Sequence, residues 1–329
     1  MPDKNQNTMN KPDITIGIPS FNAEETIAAA IESALAQHWD HFEIIVVDDA
    51  SQDKTAGIVE EFRKQHSQLR LLKNPFNSGV AVTRNRIIQE AQGDFIAFFD
   101  DDDVSAPDRL RRQYERIVAY EKDFAKGAPV ICHTARRQRY PDGNLRYERT
   151  MGVASGGAAP YGKEVAEHIL FNRPVRGGAG SSASCSQMAR AQTYRALGGF
   201  DESFRRYEDT EFCLRLALAG GHFAGLAEAL VTQAITLASD KKIAEEHFHA
   251  LKLYEKHRPL LEEKNQYVFN REWIDAKFDF LGGDRKRFTR RLCILAIRHP
   301  LLTAQRLCFA LPNIRYNVAF SKLHAVPPQ

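Results

Sequence analysis

The chain has 329 residues, enough for one large domain with an appendage or two modest ones. Its 43% hydrophobic and 26% charged residues are an ordinary globular mixture and exclude a disordered, collagenous or low-complexity chain. Net charge is +3, yet nine of the 45 basic residues and none of the 42 acidic ones follow Asp284, leaving 36 against 42 before it, a net of −6. A mildly acidic body with a basic tail argues against nucleic acid as a partner and for an anionic surface reached by the C-terminus.

Residues 1–12 are polar, carry no apolar signal segment and are expected to form a flexible tail. Ile14–Ile18 then reads as a strand ended by Pro19–Asn22. Asn22 and Glu25 have capping-box spacing, and Ile27, Ile31, Ala34 and Leu35 follow with helical period. Phe42–Val47 is a second strand ending in Asp48 and Asp49, with a helix through Ile58, Val59 and Phe62 behind it. Leu69–Leu72 is a third strand, Gly79–Ala91 a third helix, and Phe95–Phe99 a fourth strand that runs into Asp100–Asp103.

This strand–helix alternation predicts an α/β fold, a Rossmann-like mainly parallel sheet flanked by helices. In such sheets ligands sit beyond the carboxyl ends of the strands. Three strand ends here carry polar residues: Pro19–Asn22, Asp48–Ser51 and Asp100–Asp103. No dinucleotide, P-loop or nucleophile-elbow pattern is present.

Four consecutive aspartates repel one another unless a cation is present, and oxygen ligands of this kind suit Mg²⁺ or Mn²⁺. The same run could equally cap the helix over Pro107–Tyr120. Asp48 could accept from a base N–H or a ribose hydroxyl, or cap the helix over Asp53–Gln65. Arg84 could meet a diphosphate or form an intrahelical ion pair. Farther along, Gly198–Glu202 reads as a turn, and Glu208 and Asp209 enter a helix, where an acid serves as a cap or as a general base.

Five stretches in order resemble family 2 glycosyltransferases of the GT-A fold. They are Ile16–Glu25 (IGIPSFNAEE), Ile45–Thr55 (IVVDDASQDKT), Asn77–Asn85 (NSGVAVTRN), Gly93–Asp103 (GDFIAFFDDDD), and Gly198–Glu202 (GGFDE) followed by Glu208 and Asp209. The match spans roughly residues 13–220. The resemblance implies inverting transfer of a sugar from a nucleotide-diphosphate sugar, a UDP-sugar first, to a hydroxyl of a saccharide or lipid-linked saccharide, aided by Mg²⁺ or Mn²⁺. It implies that Pro19 and Phe21 line the base pocket, that Asp48 accepts from the base, and that Arg84 sits near the nucleotide. Asp100 and Asp102 match the acids of the D-x-D motif, Asp102 as metal ligand and Asp100 nearer the ribose, with Asp101 at the variable position. Asp209 matches the catalytic base, with Glu208 as its rival on the acceptor side.

The GT-A domain is expected over 13–230 and a helical, basic extension over 231–329. Helices are expected over Lys241–His257 and Lys286–Arg298. On the second, Phe288, Leu292 and Leu295 share one side and Arg287, Arg291 and Arg298 another, a face expected to touch a membrane, while Ile294 and Ile297 break the pattern and leave a packed helix as the alternative. The apolar run Leu292–Ile297 is six residues long, where a span needs about 20, so no crossing is expected. Five cysteines without a CxxC pair read as reduced thiols. Together these features predict a cytoplasmic protein, peripheral on the inner face of the membrane. Arg176, in the glycine-containing segment Asn172–Ser186, is expected on the acceptor side. Two other readings stand beside this one. A Mg-dependent nucleotidyltransferase would need a Gly/Arg/Lys-rich first loop, which Pro19–Asn22 is not; an inactive nucleotide-sugar-binding partner would lack the acids that are present here.

Overall fold

The computed structural model describes residues 12–140, 143–153, 156–177, 180–235 and 243–310. Residues 1–11 of the expected N-terminal tail, residues 178 and 179 of the glycine segment and the end of the basic tail lie outside the described residues. The chain divides into two compact units, residues 1–166 with 174–235, and residues 167–173 with 236–329.

The first unit opens with β1 (Ile14–Ser20), α1 (Ile27–Leu35), β2 (Phe42–Asp48), α2 (Thr55–Gln65), β3 (Leu69–Lys73), α3 (Val80–Glu90) and β4 (Phe95–Phe98). These are the strands and helices that the apolar periodicity predicts. β1 pairs in parallel with β2 and β4, and β2 with β3. After the aspartate turn come β5 (Asp103–Ser105), α4 (Arg109–Tyr120), β6 (Val130–Arg139), β7 (Leu145–Glu148), α5 (Gly162–Phe171), β8 (Gln187–Arg190), α6 (Ala191–Ala196), α7 (Glu208–Leu218), β9 (His222–Phe223) and β10 (Leu226–Ala234). Among the described residues the sheet order is β3-β2-β1-β4-β8-β6-β10-β5, with β7 and β9 also on β6. β8 joins antiparallel between β4 and β6.

The core follows from period two in the strands and period 3.6 in the helices. Ile14, Ile16 and Ile18 alternate on one face of β1 and pack with Ile44, Val46, Phe95 and Ala97 against Ile27, Ile31, Val59, Leu110, Ile117 and Tyr120 of the helices. The opposite face of β1 carries Gly17, where an added Cβ would meet Ile87 of α3 at 2.5 Å. The sheet is therefore covered on both sides, and its polar residues collect at the strand ends.

Two local expectations are corrected. Asn22 does not cap α1, which starts at Ile27 after a turn closed by the Thr26 and Ile27 amides on the Ala23 carbonyl. Asn22 instead adopts a left-handed φ of 49° and binds the neighbouring loop. Asp48 does not cap α2 either; Asp53 Oδ1 takes the Thr55 amide at 2.9 Å.

The second unit is helical: α8 (Ile243–Lys256), α9 (Arg258–Glu263), α10 (Tyr267–Leu281), α11 (Arg285–Arg298) and α12 (Pro300–Ala310). Phe269, Ala276 and Leu295 form its buried centre, with Trp273, Phe288 and Leu302 packed around them. The face of α11 expected to meet a membrane is thus partly spent on α10. Its arginines are paired as well: Arg291 with Asp275 at 3.0 Å and Asp279 at 2.8 Å, Arg287 with Asp279 at 3.8 Å, and Arg298 with Glu272 at 3.7 Å. Among the described residues no helix is long and apolar enough to cross a membrane.

Candidate active site

β1, β2 and β4 are parallel neighbours, so their carboxyl ends share one edge; Ser20 lies opposite Asp48 in the register. Three loops meet there and are stitched together. The Phe21 amide donates to Asp101 Oδ2 at 3.0 Å. The Asn22 amide donates to Ser51 Oγ at 2.9 Å, and Asn22 Oδ1 accepts from the Gln52 amide at 2.9 Å. Ala50 at the second loop has φ 63°, a conformation that costs a residue with a Cβ roughly 1–2 kcal/mol. Such strain persists only where surrounding contacts over-determine it.

Pro19 is buried at the end of β1, whereas Phe21 is 44% exposed beside it. Asp48 is buried; Oδ2 accepts from the Ser51 amide at 3.3 Å, and Oδ1 has no protein donor. A buried acceptor without a donor costs about 1–3 kcal/mol, so this oxygen is poised for a ligand N–H or O–H. Asp49 has a different task. Its carboxylate accepts from Asn74 Nδ2 at 2.6 Å and from the Ser78 and Gly79 amides at 3.1 and 2.8 Å, fixing the loop that leads into α3.

Arg84 is not paired within its helix, as one of the two sequence readings has it; it lies at the site edge. The guanidinium is 3% exposed and donates to Asp100 Oδ1 at 2.9 Å and to Glu208 Oε1 at 2.7 Å. Phe98 and Phe200 lie 5.9 and 5.6 Å from it. One buried cation thereby joins the aspartate turn to the start of α7. The next residue, Asn85, holds the glycine turn before α7: Nδ2 donates to the Phe200 carbonyl at 2.9 Å and Oδ1 accepts the Phe200 amide at 2.7 Å. Gly199 is required there, because its φ is 71° and a Cβ would sit 2.3 Å from Asn85 Oδ1.

The four aspartates are not equivalent. Asp101 reaches back to the first loop; burial, and then the charges of Asp102 and Asp100, push its carboxyl up to about 7 against the lowering effect of the Phe21 amide. Asp103 opens β5 and is buried, and burial together with Asp100 and Asp102 raises its carboxyl well above the usual range. Asp102 is half-buried on the same turn. Among the described residues, the group able to share one cation is Asp100, Asp103 and Cys185, whose ligand atoms all lie within 4.8 Å of one another. Asp102, the expected ligand, is outside that group. Two hard carboxylates and a soft sulfur are a donor set that fits a divalent ion.

At the start of α7, Tyr207 turns the chain with φ 65°. Glu208 is buried, and burial followed by the Asp209 charge pushes its carboxyl up to about 7, with Arg84 acting the other way. Asp209 is half-buried, and its Oδ1 accepts from the Thr210 amide at 2.6 Å and the Thr210 hydroxyl at 3.1 Å. Arg176 is exposed on the loop after residue 173, and no described contact joins it to the acids; Arg173 is paired with Glu167 at 2.6 Å.

Asn85, Arg109 and Cys185 escape the sequence reading, and Asp49 enters it only beside Asp48. Asn85 lies inside a quoted motif, so motif spacing could have raised it. Arg109 is fully buried beneath the turn and donates to Ser105 Oγ at 2.9 Å and the Phe98 carbonyl at 2.8 Å, with burial pushing its guanidinium down to about 10. Nothing in its sequence neighbourhood sets it apart.

Comparison with known proteins gives this edge a context. Residues 15–170 match the family model described as Glycosyl transferase family 2. The chain is 39% identical over 114 residues to the UDP-Glc:alpha-D-GlcNAc-diphosphoundecaprenol beta-1,3-glucosyltransferase WfgD of Escherichia coli, covering 35% of this chain and 44% of WfgD. The chain spans about half the length of the curated relatives it matches. Among solved structures it resembles S. aureus TarS 1–349 in complex with UDP-GlcNAc, at TM-score 0.61 and 17% identity, covering 95% of this chain and 90% of that one. It also resembles the mannosyltransferase PcManGT of Pyrobaculum calidifontis in complex with GDP-Man and Mn²⁺, at TM-score 0.58 and 15% identity, covering 96% and 85%. At these identities the structures establish the GT-A fold. The sequence match makes residues 15–170, just under half of the chain, similar to glycosyl transferase family 2 on that fold.

Proposed function

We propose that this protein transfers a sugar from a nucleotide-diphosphate sugar to a hydroxyl acceptor with inversion, in cell-surface polysaccharide or glycolipid assembly. The observation that carries the reading is the Arg84 bridge, which sets Asp100 and the Glu208–Asp209 helix start on one guanidinium. A leaving-group carboxylate and a candidate base are thereby held in fixed relation across the strand edge. The UDP-sugar and the diphosphoundecaprenol acceptor in the name of WfgD, and the UDP-GlcNAc complex of TarS, favour a UDP-sugar donor and a lipid-linked saccharide acceptor.

Pro19 and Phe21 line the base pocket, and Asp48 Oδ1 accepts a base N–H, which removes its unpaired state. Asp100 and Asp102, the latter on the same turn though outside the Asp100–Asp103–Cys185 group, would hold the divalent ion, Mg²⁺ or Mn²⁺, whose charge would offset the departing diphosphate; the Mn²⁺ complex of PcManGT supports this part. Asp209 uses its second carboxylate oxygen to take the acceptor hydroxyl proton while the acceptor's own oxygen attacks the anomeric carbon. The sugar–phosphate bond breaks on the opposite face, so a single displacement inverts the centre. Glu208 is committed to Arg84, which favours Asp209 as the base. Arg84 positions both acids and leaves the phosphates to other groups.

The test is turnover of a UDP- and GDP-sugar panel with Mn²⁺ and Mg²⁺, reading nucleotide diphosphate release. Release with one donor, lost in excess EDTA, is expected. Full activity in EDTA overturns the metal part, and absence of both binding and release with every donor overturns the donor class.

A further inference from the structure

The strands β7, β6, β10 and β5 lie side by side, and their register decides which side chains share a face. Asp103 lies opposite Gln233, Gln233 beside Gln138, and Gln138 opposite Arg146, so these four take one side of the sheet. The alternate residues take the other. There Val104 lies opposite Thr232, Thr232 beside Arg137, Arg137 opposite Tyr147, and Arg139 opposite Leu145. On this second side Val104, Leu145 and Tyr147 are 44%, 62% and 51% exposed, and Arg137 and Arg139 are exposed with them. Arg149, two residues beyond Tyr147, is exposed too. Glu148, on β7, is spent on Arg146 at 3.2 Å. Among the described residues none of Arg137, Arg139 and Arg149 has an ion-pair partner. The Tyr147 hydroxyl donates to the Ala227 carbonyl on β10, so the ring reaches across β6 and lies along the sheet. A bilayer favours apolar side chains that are free to enter it; here the aromatic one is tied down, and Leu145 and Val104 stand on the outermost two of the four strands.

We propose that this face of the sheet binds an anionic polysaccharide, one whose sugar rings carry carboxylates. Guanidinium forks match carboxylates in a bidentate fashion, and the three arginines have no acid of their own to release first. Arg137 and Arg139 stand roughly 7 Å apart along β6, so a single chain can meet both. The tied ring of Tyr147 between them and Arg149 offers its apolar face to a sugar ring, as aromatic side chains do to other flat apolar surfaces. The binding needs neither donor nor metal, so it stands apart from the transfer reaction.

The test is affinity electrophoresis of the full chain in gels holding polygalacturonate, polyglutamate or neutral dextran. Retardation by polygalacturonate is expected, easing as salt rises, with none by dextran and less by polyglutamate, which has carboxylates without sugar rings. Arg137→Gln with Arg139→Gln should weaken it about tenfold or more. Tyr147→Ala should weaken it about threefold at unchanged charge, and Tyr147→Phe, which keeps the ring, should restore it. Lys286→Gln with Arg290→Gln removes the same charge elsewhere and should change little. All these side chains are exposed, and thermal unfolding close to wild type checks that each variant folds. No retardation by polygalacturonate, or equal loss in the two charge variants, overturns the site. Polyglutamate held as strongly as polygalacturonate, with no effect of Tyr147→Ala, overturns the saccharide. Flotation with phosphatidylglycerol vesicles that Arg137→Gln with Arg139→Gln abolishes, without retardation by the polymer, gives this face to a membrane and overturns the proposal as well.

Discussion

Arg84 and Asp209 separate positioning from chemistry at the scale of single residues. Asp209→Asn keeps shape and removes the proton acceptor, so turnover should fall by roughly 10²–10⁴ while donor affinity, measured by titration, stays near wild type. A normal turnover would remove Asp209 as the base; Glu208→Gln under saturating donor is the matched comparison. Arg84→Met should behave differently, because it strips the counter-charge from two carboxylates at once. A buried ion pair broken on one side costs about 3–5 kcal/mol, and the 26% exposure of Asp100 puts this case at the lower end. Lower stability in urea, with turnover partly restored in Arg84→Lys, is the expected signature. A variant of wild-type stability would show that the bridge holds nothing.

The glycine turn before α7 and the strand β6 give the element-scale predictions. Asn85 clamps the Phe200 backbone through both atoms of its amide. Gly199→Ala adds a methyl at 2.3 Å from that amide on a left-handed residue. It should destabilise the chain by about 1–3 kcal/mol and lower turnover by misplacing α7, read by thermal unfolding and initial rate together. β6 carries His133, fully buried, whose imidazole is pushed down to about 3, first by burial and then by the Arg136 charge. The unfolded imidazole takes its proton near 6.5, so between that pH and about 3 the unfolded state holds the extra proton. Stability contributed by neutral His133 is whole above 6.5 and declines as pH falls, by up to about 1.4 kcal/mol per pH unit. Urea midpoints from pH 7 to 4.5 should therefore fall less steeply in His133→Gln than in wild type; parallel profiles would refute the assignment.

At the scale of the whole molecule, charge is distributed unevenly along the chain. The arginines of α11 that pair with α10 no longer offer charge to a surface, but Lys286 and Arg290 are exposed on α11, as are Ile297 on the same helix and Leu301 at the start of α12, at 81% and 84%. We propose that peripheral membrane contact, if the acceptor is lipid-linked, uses this face and not the one packed on α10. Full-length protein should float with anionic vesicles at low salt and release as salt rises, each basic residue contributing about 1 kcal/mol near the surface. Equal flotation by wild type and by Lys286→Glu/Arg290→Glu would sink the idea.

Much of this protein is legible without coordinates, and the reason is periodicity. The strands and helices from Ile14 to Phe98 announce themselves because each has one buried face, and alternation in the chain places polar residues at the strand ends. The aspartate run and the Glu208–Asp209 pair stand out as chemistry for the same reason: charged residues follow abruptly on apolar segments. What residues far apart in the chain do to one another is not written in that pattern. Arg84 meets Asp100 and Glu208, Asn85 meets Phe200, and Cys185 meets Asp103 only because β8 inserts beside β4 and brings the second half of the unit back to the first. A lone arginine on a helix looks the same in sequence whether it points at phosphate or at carboxylates. Likewise the stripe on α11 has the period of any amphipathic helix, and only α10, with its Asp275 and Asp279, decided that part of it faces protein. Local pattern fixes which face of an element leaves water; the partner that receives it is chosen by the tertiary fold.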